Sequence, residues 1–399
     1  MMKGKTIVLG VTGSIAAYKI AGLASTLVKE GCEVHVVMTR NATNFINPIT
    51  FETLTSNKCL VDTFDRNFEF HVAHVSLAKK ADAILVAPAT ANIIGKMACG
   101  IADDMLSTVI LAAQCPIIVS PAMNTNMFRN SIVQENLQKL AAHGMTVIPP
   151  SVGRLACADV GEGKMPDEAV LMAYLRKAVA YKKDLEGLKV LVTAGPTQEP
   201  IDPVRYISNH STGKMGFAVA RAAMERGAEV TVIYGNTPVD PPLLVNAVKV
   251  QTAAEMLDAV TAFFPQADIL VKSAAVADYT PSEYHDSKVK KKDGDLVLPL
   301  KRTADILHEV SVMKQPGQLV CGFSMETENL LENSKKKLME KGLDLIAANN
   351  LKVEGAGFGV DTNVVTLITK NEVKELPLMS KEEVAHQLLD TLQTLKEAQ

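Results

Sequence analysis

The chain has 399 residues, 41 Lys and Arg against 44 Asp and Glu, a formal net charge of −3 and 47% hydrophobic residues. That length accommodates two or three separate cores, the apolar content excludes wholesale disorder, and the near-balanced charge offers no general attraction to nucleic acid. No uninterrupted apolar run approaches the ~20 residues of a membrane helix, and six scattered cysteines without a C-x-x-C pair argue against a disulfide framework or a zinc site, so a reduced, cytoplasmic protein is expected.

In chain order, TIVLGVTG reads as a first strand and not a signal peptide, because its apolar run is short, broken by glycine and leads into helical periodicity. A helix is expected near 15–29, then strands at EVHVVMT and ADAILVAPAT, helices from about 92 to 113, a strand at PIIVS, a helix near 131–143 and the run MTVIPP. Short runs apolar on both faces and separated by helices mark parallel strands covered on two sides. The first half, 1–180, is therefore expected to be an α/β, Rossmann-like, doubly wound domain of flavodoxin-like type. Cys32, Cys115 and Cys321 adjoin or fall in apolar runs and read as small core residues, whereas Cys157 lies in SVGRLACADVGEGKMPD, which reads as a long loop.

A helix after Pro166 leads to the charged YKKDLEGLK, and 181–188 is taken as the linker. The same grammar restarts in 189–399: KVLVTAGPT, a helix near 214–226, AEVTVIYG, AVKVQT, a helix near 253–263, DILVKSAAVAD, QLVCGFSME, a helix near 328–341, LDLIAANN, the alternating NVVTLIT and a terminal helix from about 380. A second doubly wound parallel sheet is expected, with ligands at the carboxyl ends of its strands.

Neither opening turn is a dinucleotide fingerprint. GVTGSIAAYK has Gly10 and Gly13 but does not complete G-x-G-x-x-G, and no acidic residue closes the next strand. Gly13 and Ser14 at a helix start, with Thr39 after the next strand, suit a single phosphate, as in a mononucleotide such as FMN. In the second half, SNHSTGKMG ends like a Walker A loop but has Ser208 and Met215 where the motif needs glycine and Ser or Thr. What survives is an anion site at a helix start, with Gly213 and Lys214.

GSIAAYK, HVSLAKKADAILVAPATAN, PAMNTNMF and ACADVGEGKM resemble, in order and spacing, the flavin-dependent cysteine decarboxylases. GPTQEPIDPVRYISNHSTGKMG, SAAVADY, KVKK, GFSMET and AANN resemble phosphopantothenate–cysteine ligase, and the fused order is similar to the bifunctional enzymes of coenzyme A biosynthesis. The resemblance covers nearly the whole chain. For the first half it implies FMN-dependent oxidation of the thiol of phosphopantothenoylcysteine, loss of CO₂ and release of phosphopantetheine. His74 matches the catalytic histidine, Asn124 the asparagine that binds the substrate carboxylate, and Cys157 the proton donor of a flap that closes over the substrate. Gly13, Ser14, Thr39, Ala89 and Asn92 match the flavin contacts. An isolated histidine is more often a helix-face residue, and a plain turn asparagine is the alternative for Asn124. A metal pair of His71 with His74 is rejected for want of a third ligand.

For the second half the resemblance implies joining 4′-phosphopantothenate to cysteine through an acyl-cytidylate, with CTP and Mg²⁺. Lys288 matches the triphosphate lysine, and Lys337 and Lys341, four apart on one helix face, match further nucleotide contacts. Ala274, Asp278, Ala304, Asp305, Ile306 and Phe323 match the remainder of the nucleotide site, with Asp278 expected at a strand's carboxyl end. Asn209 would act on the acyl-cytidylate, the helix start at Gly213 and Lys214 would take the phosphate of phosphopantothenate, and Arg205 would meet a carboxylate or phosphate. The alternative for Asn209 is a helix cap. Metal ligands are not assigned. Departures from the family pattern are Phe128 for tryptophan, Ala158 for glycine, Lys164 for arginine, TADI for a proline-containing form and Asn350 for aspartate. Relatives imply trimers through the first domain and dimers through the second, hence a homododecamer. Two other readings are weighed: a flavoprotein turned regulatory subunit, opposed by His74, Asn124 and Cys157, and a tandem NAD(P) oxidoreductase, opposed by the missing fingerprint.

Overall fold

The computed structural model describes residues 2–64, 73–154, 160–290, 296–326, 329–350, 357 and 359–398. The chain divides into two units, Met1–Lys182 and Lys183–Gln399.

In the first unit, β1 (Thr6–Val11), β2 (Glu33–Met38), β3 (Ala83–Ala89), β4 (Ile117–Pro121) and β5 (Thr146–Val147) form a parallel sheet in the order 2-1-3-4-5. β1, β3 and β4 are buried along their whole length, which is why they are written as continuous apolar runs. The helices are α1 (Ile20–Lys29), α2 (Pro48–Thr55), α3 (Ala73–Lys80), α4 (Ala91–Cys99), α5 (Met105–Ala112), α6 (Thr125–Arg129), α7 (Ser131–Ala142) and α8 (Glu168–Val179). Leu23 and Leu27 of α1, Phe51 of α2 and Leu175 of α8 fill one face of the sheet. Ile93 and Ile94 of α4, Leu106 and Val109 of α5 and Leu140 of α7 fill the other.

Three local expectations change. The helix expected near 15 is a 3₁₀ turn, Ile15–Lys19, before α1, because the Ser14 N–H bonds the Thr12 carbonyl (2.8 Å) and tightens the entry. α2 was not foreseen, although Asn47 caps it and Pro48 opens it. The long loop is flanked by two antiparallel strands, β6 (Ser151–Arg154) and β7 (Val160–Lys164). Their glycines and charges hide the alternation that marks a strand.

The second unit contains β8 (Lys189–Ala194), β9 (Gln198–Pro200), β10 (Tyr206–Ser208), α9 (Lys214–Glu225), β11 (Glu229–Tyr234), β12 (Asn246–Lys249), α10 (Ala253–Phe263), β13 (Ile269–Lys272), β14 (Tyr279–Pro281), β15 (Leu300–Arg302), α11 (Ile306–Met313), β16 (Leu319–Glu326), α12 (Leu330–Glu340), β17 (Leu345–Asn350), β18 (Thr362–Asn363), β19 (Val365–Ile368), β20 (Val373–Glu375), β21 (Met379–Ser380) and α13 (Lys381–Glu397). Its main sheet runs 12-11-8-13-16-17-19-20. It is parallel up to β17, and β19 and β20 add an antiparallel edge. Strand order reverses between β8 and β13, the crevice where open α/β sheets receive ligands. α9 and α13 cover one face with Phe217, Val219, Val384 and Leu388, and α10, α11 and α12 cover the other with Met256, Val260, Ile306 and Leu338. Arg226, 3% exposed, is neutralised by Asp184 (2.8 Å) and Asp390 (2.7 Å) and donates to the His386 carbonyl (3.3 Å). Among the described residues, no helix is long and apolar enough to cross a membrane.

Candidate functional site

Each unit carries a cleft at the carboxyl ends of its strands. In the first, the turn after β1 is stitched to the end of β3: the Thr12 hydroxyl donates to the Pro88 carbonyl (2.6 Å) and accepts from the Thr90 N–H (3.1 Å). Gly13 lies so close to the segment after β2 that a Cβ there would stand 2.8 Å from Asn41 Cβ. A side chain would wedge the turn from that segment. The cleft that opens here, about 2100 Å³, is lined by Thr12, Gly13, Thr39, Thr90, Asn92 and Lys96 among others. Hydroxyls, an amide, a backbone turn and one lysine suit a mononucleotide. Lys96 was not foreseen; it is ion-paired with Asp103 (2.6 Å) and with Asp104 (2.8 Å), the cap of α5. Ala89 departs from expectation: its side chain is wholly buried in the core, and its carbonyl accepts from the Ala122 N–H (3.0 Å).

A second cleft of about 1230 Å³ adjoins the other side of the Gly13–Ser14 turn and is lined by Ser14, Lys19, Asn124, Arg154, Gly163 and Lys164 among others. Asn124 caps α6, its Oδ1 accepting the Asn126 N–H at 2.8 Å, so the turn role is present and sets the side chain's orientation. The β6–β7 pair is anchored beside it. The Met123 N–H bonds the Gly163 carbonyl (3.0 Å), the Thr125 hydroxyl bonds the Glu162 carbonyl (2.8 Å) and Arg129 pairs with Glu162 (3.0 Å). Gly163 has φ +116°, and a Cβ there would be 2.3 Å from the Met123 carbonyl oxygen, so only glycine permits this seam. His74 opens α3, half-buried, and lines neither cleft. Cys157 lies outside the described residues, as do His71 and Ala158.

In the second unit, left-handed Gly213 (φ +74°) precedes α9 with no side-chain cap, so the first N–H groups of α9 face a cleft of about 490 Å³. Ser211, Thr212, Lys214, Ser273, Phe323 and Asn349 are among its lining. Lys214 is held by Asp361 (2.7 Å) and the Gly359 carbonyl (3.1 Å). Two lining residues carry signals that sequence reasoning missed. Asn349 is 5% exposed, and its Oδ1 has no hydrogen-bond partner among the described residues. Lys381, 6% exposed, has its pKa lowered by burial and by the like charge of Lys214.

Asn209 is not the helix cap; its amide donates to the carbonyls of Ala275 (3.3 Å) and Val276 (3.1 Å) in the segment after β13. The same segment is fixed by the Ala274 N–H on Thr193 Oγ1 (3.2 Å) and by Thr303 Oγ1 on the Ala277 carbonyl (2.7 Å). Asp278 lies beyond the strand end expected for it, since β13 stops at Lys272; it is exposed and its carbonyl accepts the Thr303 N–H (3.0 Å).

TADI turns out to be a helix start. Asp305 caps α11 through the N–H groups of Leu307 (3.0 Å) and His308 (3.3 Å), and Lys341 pairs with it at 2.5 Å. Partial burial would raise the Asp305 pKa, but Lys341 and the helix N–H groups outweigh it and hold the carboxyl low. Ala304 is exposed, whereas Ile306 is 2% exposed and belongs to the core, so its side chain is turned away from any ligand. Lys337 donates to the Phe323 carbonyl (3.3 Å). Lys272, unforeseen, sits among these groups: burial, then Lys337, lower its pKa to about 8. Its signal was a lysine interrupting the apolar run DILVKSAAV.

Arg205 is held within the protein. Its guanidinium is engaged by buried Asp202 (2.6 Å) and by the Val289 carbonyl (2.9 Å), and Asp202 also accepts the Val289 N–H (3.1 Å), so this arginine anchors the segment carrying Lys288. Lys288 itself is exposed. Among the described residues, no cluster of three or more His, Cys, Asp or Glu could hold a metal.

Residues 1–180 match the family model described as "Flavoprotein", and residues 185–395 match "DNA/pantothenate metabolism flavoprotein C-terminal domain". The chain is 45% identical over 399 residues to the coenzyme A biosynthesis bifunctional protein CoaBC of Bacillus subtilis (strain 168), covering 99% of this chain and 98% of that one. It is 43% identical over 396 residues to the protein of the same name from Vibrio vulnificus (strain YJ016), again covering 99% and 98%. A crystal structure of the C-terminal domain of such a protein is 42% identical, covers 55% of this chain and 100% of its own, and has a TM-score of 0.48. The chain belongs to the family of the coenzyme A biosynthesis bifunctional proteins CoaBC.

Proposed function

We propose that the second unit ligates 4′-phosphopantothenate to cysteine and that the first decarboxylates the product to 4′-phosphopantetheine. The observation that carries this most is that both family matches and the 45% identity span the two units together.

In the ligase reaction the pantothenate carboxylate attacks the α-phosphorus of CTP and expels pyrophosphate. The amine of cysteine then attacks the acyl carbon and expels CMP. Lys337, Lys341 and Lys272 supply positive charge for the triphosphate, with Lys288 joining from the segment that Arg205 anchors and Mg²⁺ arriving on the nucleotide. Ala274, Asp278, Ala304 and Phe323 border the nucleotide, Asp305 holds Lys341 in readiness, and Ile306 acts only through its backbone. Asn209, fixed over the segment after β13, acts on the acyl-cytidylate. The start of α9 with Lys214 takes the phosphate of phosphopantothenate.

In the first unit, FMN when bound would take two electrons from the substrate thiol and give them back once CO₂ has left, so that decarboxylation to the thiol product is redox-neutral overall. The Gly13–Ser14 turn, Thr39 and Asn92 hold it, and the backbone at Ala89 shapes its floor. Asn124 orients the carboxylate that leaves as CO₂, and His74 and Cys157 handle the thiol and product protons. That His74 is not among the described lining of either cleft of its own unit supports a site completed by a neighbouring copy, as in trimers of this unit. Dimers of the second would then give a homododecamer.

The test is one assay on the full chain. Phosphopantothenate, cysteine, CTP and Mg²⁺ should yield pyrophosphate first and CO₂ second, and the flavin released from the yellow protein should run as FMN. A colourless protein that cannot be reconstituted sinks the first half of the proposal, and absence of pyrophosphate sinks the second.

A further inference from the structure

The cleft holding Asn124 has three cations in its wall, Lys19, Arg154 and Lys164, and no carboxylate among its described lining. Among the described residues, none of the three side chains has a hydrogen bond or ion pair. Several cations elsewhere in the unit do have an acid beside them: Lys5 with Asp82, Lys80 with Glu33, Lys96 with Asp103 and Asp104, Arg129 with Glu162 and Arg176 with Glu30. Glu162, the acid nearest in sequence to Lys164, is already taken by Arg129. Arg154 and Lys164 come from the paired strands β6 and β7, and Lys164 lies along β6, its Nζ 3.8 Å from where a Cβ of Gly153 would be. Unmatched like charges sharing a cavity repel one another, and a dianion relieves that repulsion.

We propose that Arg154 and Lys164, with Lys19, form the receptor for the phosphomonoester end of the substrate decarboxylated in this unit; this rests on the decarboxylase reading above. The alternative occupant within the same substrate is its carboxylate, and the chemistry opposes it. That carboxylate loses its charge as CO₂ departs, so a cationic grip on it would stabilise the ground state over the transition state. The neutral amide of Asn124 suits the departing group. The phosphate keeps its charge throughout, so cations placed on it bind substrate and transition state alike. A guanidinium fork beside an ammonium also matches a phosphate's oxygens.

Such uniform binding predicts a split in the kinetics. With the full-length flavin-loaded protein, phosphopantothenoylcysteine and pantothenoylcysteine are compared as substrates. The wild type should prefer the phosphorylated one by about 100-fold in kcat/KM, taking roughly tenfold for each charge-assisted contact. Arg154→Gln and Lys164→Gln should each raise its KM about tenfold with kcat within about twofold, and the double variant should abolish most of the preference. Turnover of pantothenoylcysteine should stay within about twofold in all three, a readout that a misfolded variant would not preserve. Lys164→Arg should restore the KM. Inorganic phosphate should compete with substrate in the wild type and not in the double variant. A wild type indifferent to the phosphate, or variants that lose both substrates equally, would overturn the receptor while leaving the decarboxylase reading intact. Turnover of neither substrate by the wild type would overturn that reading, and the receptor with it.

Discussion

The two clefts handle charge in opposite ways. In the second unit the lysines proposed for the site are all engaged by the protein itself: Lys214 with Asp361, Lys341 with Asp305, Lys337 with the Phe323 carbonyl. In the first unit the cleft beside Asn124 holds Lys19, Arg154 and Lys164 with no side-chain partner among the described residues, and the larger cleft beside it is lined by a turn, hydroxyls and the already paired Lys96. A triphosphate that arrives and leaves as pyrophosphate and CMP needs lysines parked in place by partners it can displace. A flavin that stays needs shape more than charge. Under the proposed function, the same strand-end geometry would serve a transient polyanion in one unit and a resident cofactor in the other.

The comparison breaks most visibly at Asn209. Asn209→Ala should cost ligase turnover roughly 10²–10³-fold, as loss of a preorganised polar group does, with the acyl-cytidylate accumulating by mass spectrometry. Decarboxylation of supplied phosphopantothenoylcysteine should change by less than about twofold, since the two units have separate cores. Equal losses in both reactions would mean that the clefts do not act independently.

A smaller effect sharpens the idea of parked lysines. Lys341→Gln should raise the KM for CTP about 3- to 10-fold, whereas Asp305→Asn, which keeps the α11 cap but removes the parking charge, should leave that KM unchanged or lower it. If both substitutions weaken CTP equally, Asp305 is a nucleotide contact and not a holder.

The smallest effect concerns stability. Burial, then Arg226, lower the His386 pKa from 6.5 to about 4. Between those values the unfolded chain binds a proton that the folded unit refuses, so stability should fall as pH drops from 6.5 towards 4. In His386→Gln the pH slope of denaturant unfolding of the second unit should flatten. An unchanged slope would assign acid sensitivity to the carboxylates around Arg226.

Much of this molecule is legible in the residues alone, because strands buried on both faces, such as Ile7–Val11 or Leu85–Ala89, must be apolar at every position and helices between them must alternate every third or fourth residue. The order of elements and the α/β class follow from that local arithmetic, and SNHSTGKMG could be placed at a helix start because small residues and glycine there have few other uses. Burial and partnership are different, since they depend on residues far apart in the chain. Nothing local announces that Asp202, three residues before Arg205, is sealed inside and claims its guanidinium, that Ile306 faces the core while Asp305 caps, or that Lys272 lies within the field of Lys337. Short-range periodicity sets which segments become strands and helices; only chain closure decides which charges meet, which lose their water, and which are left unmatched for a ligand.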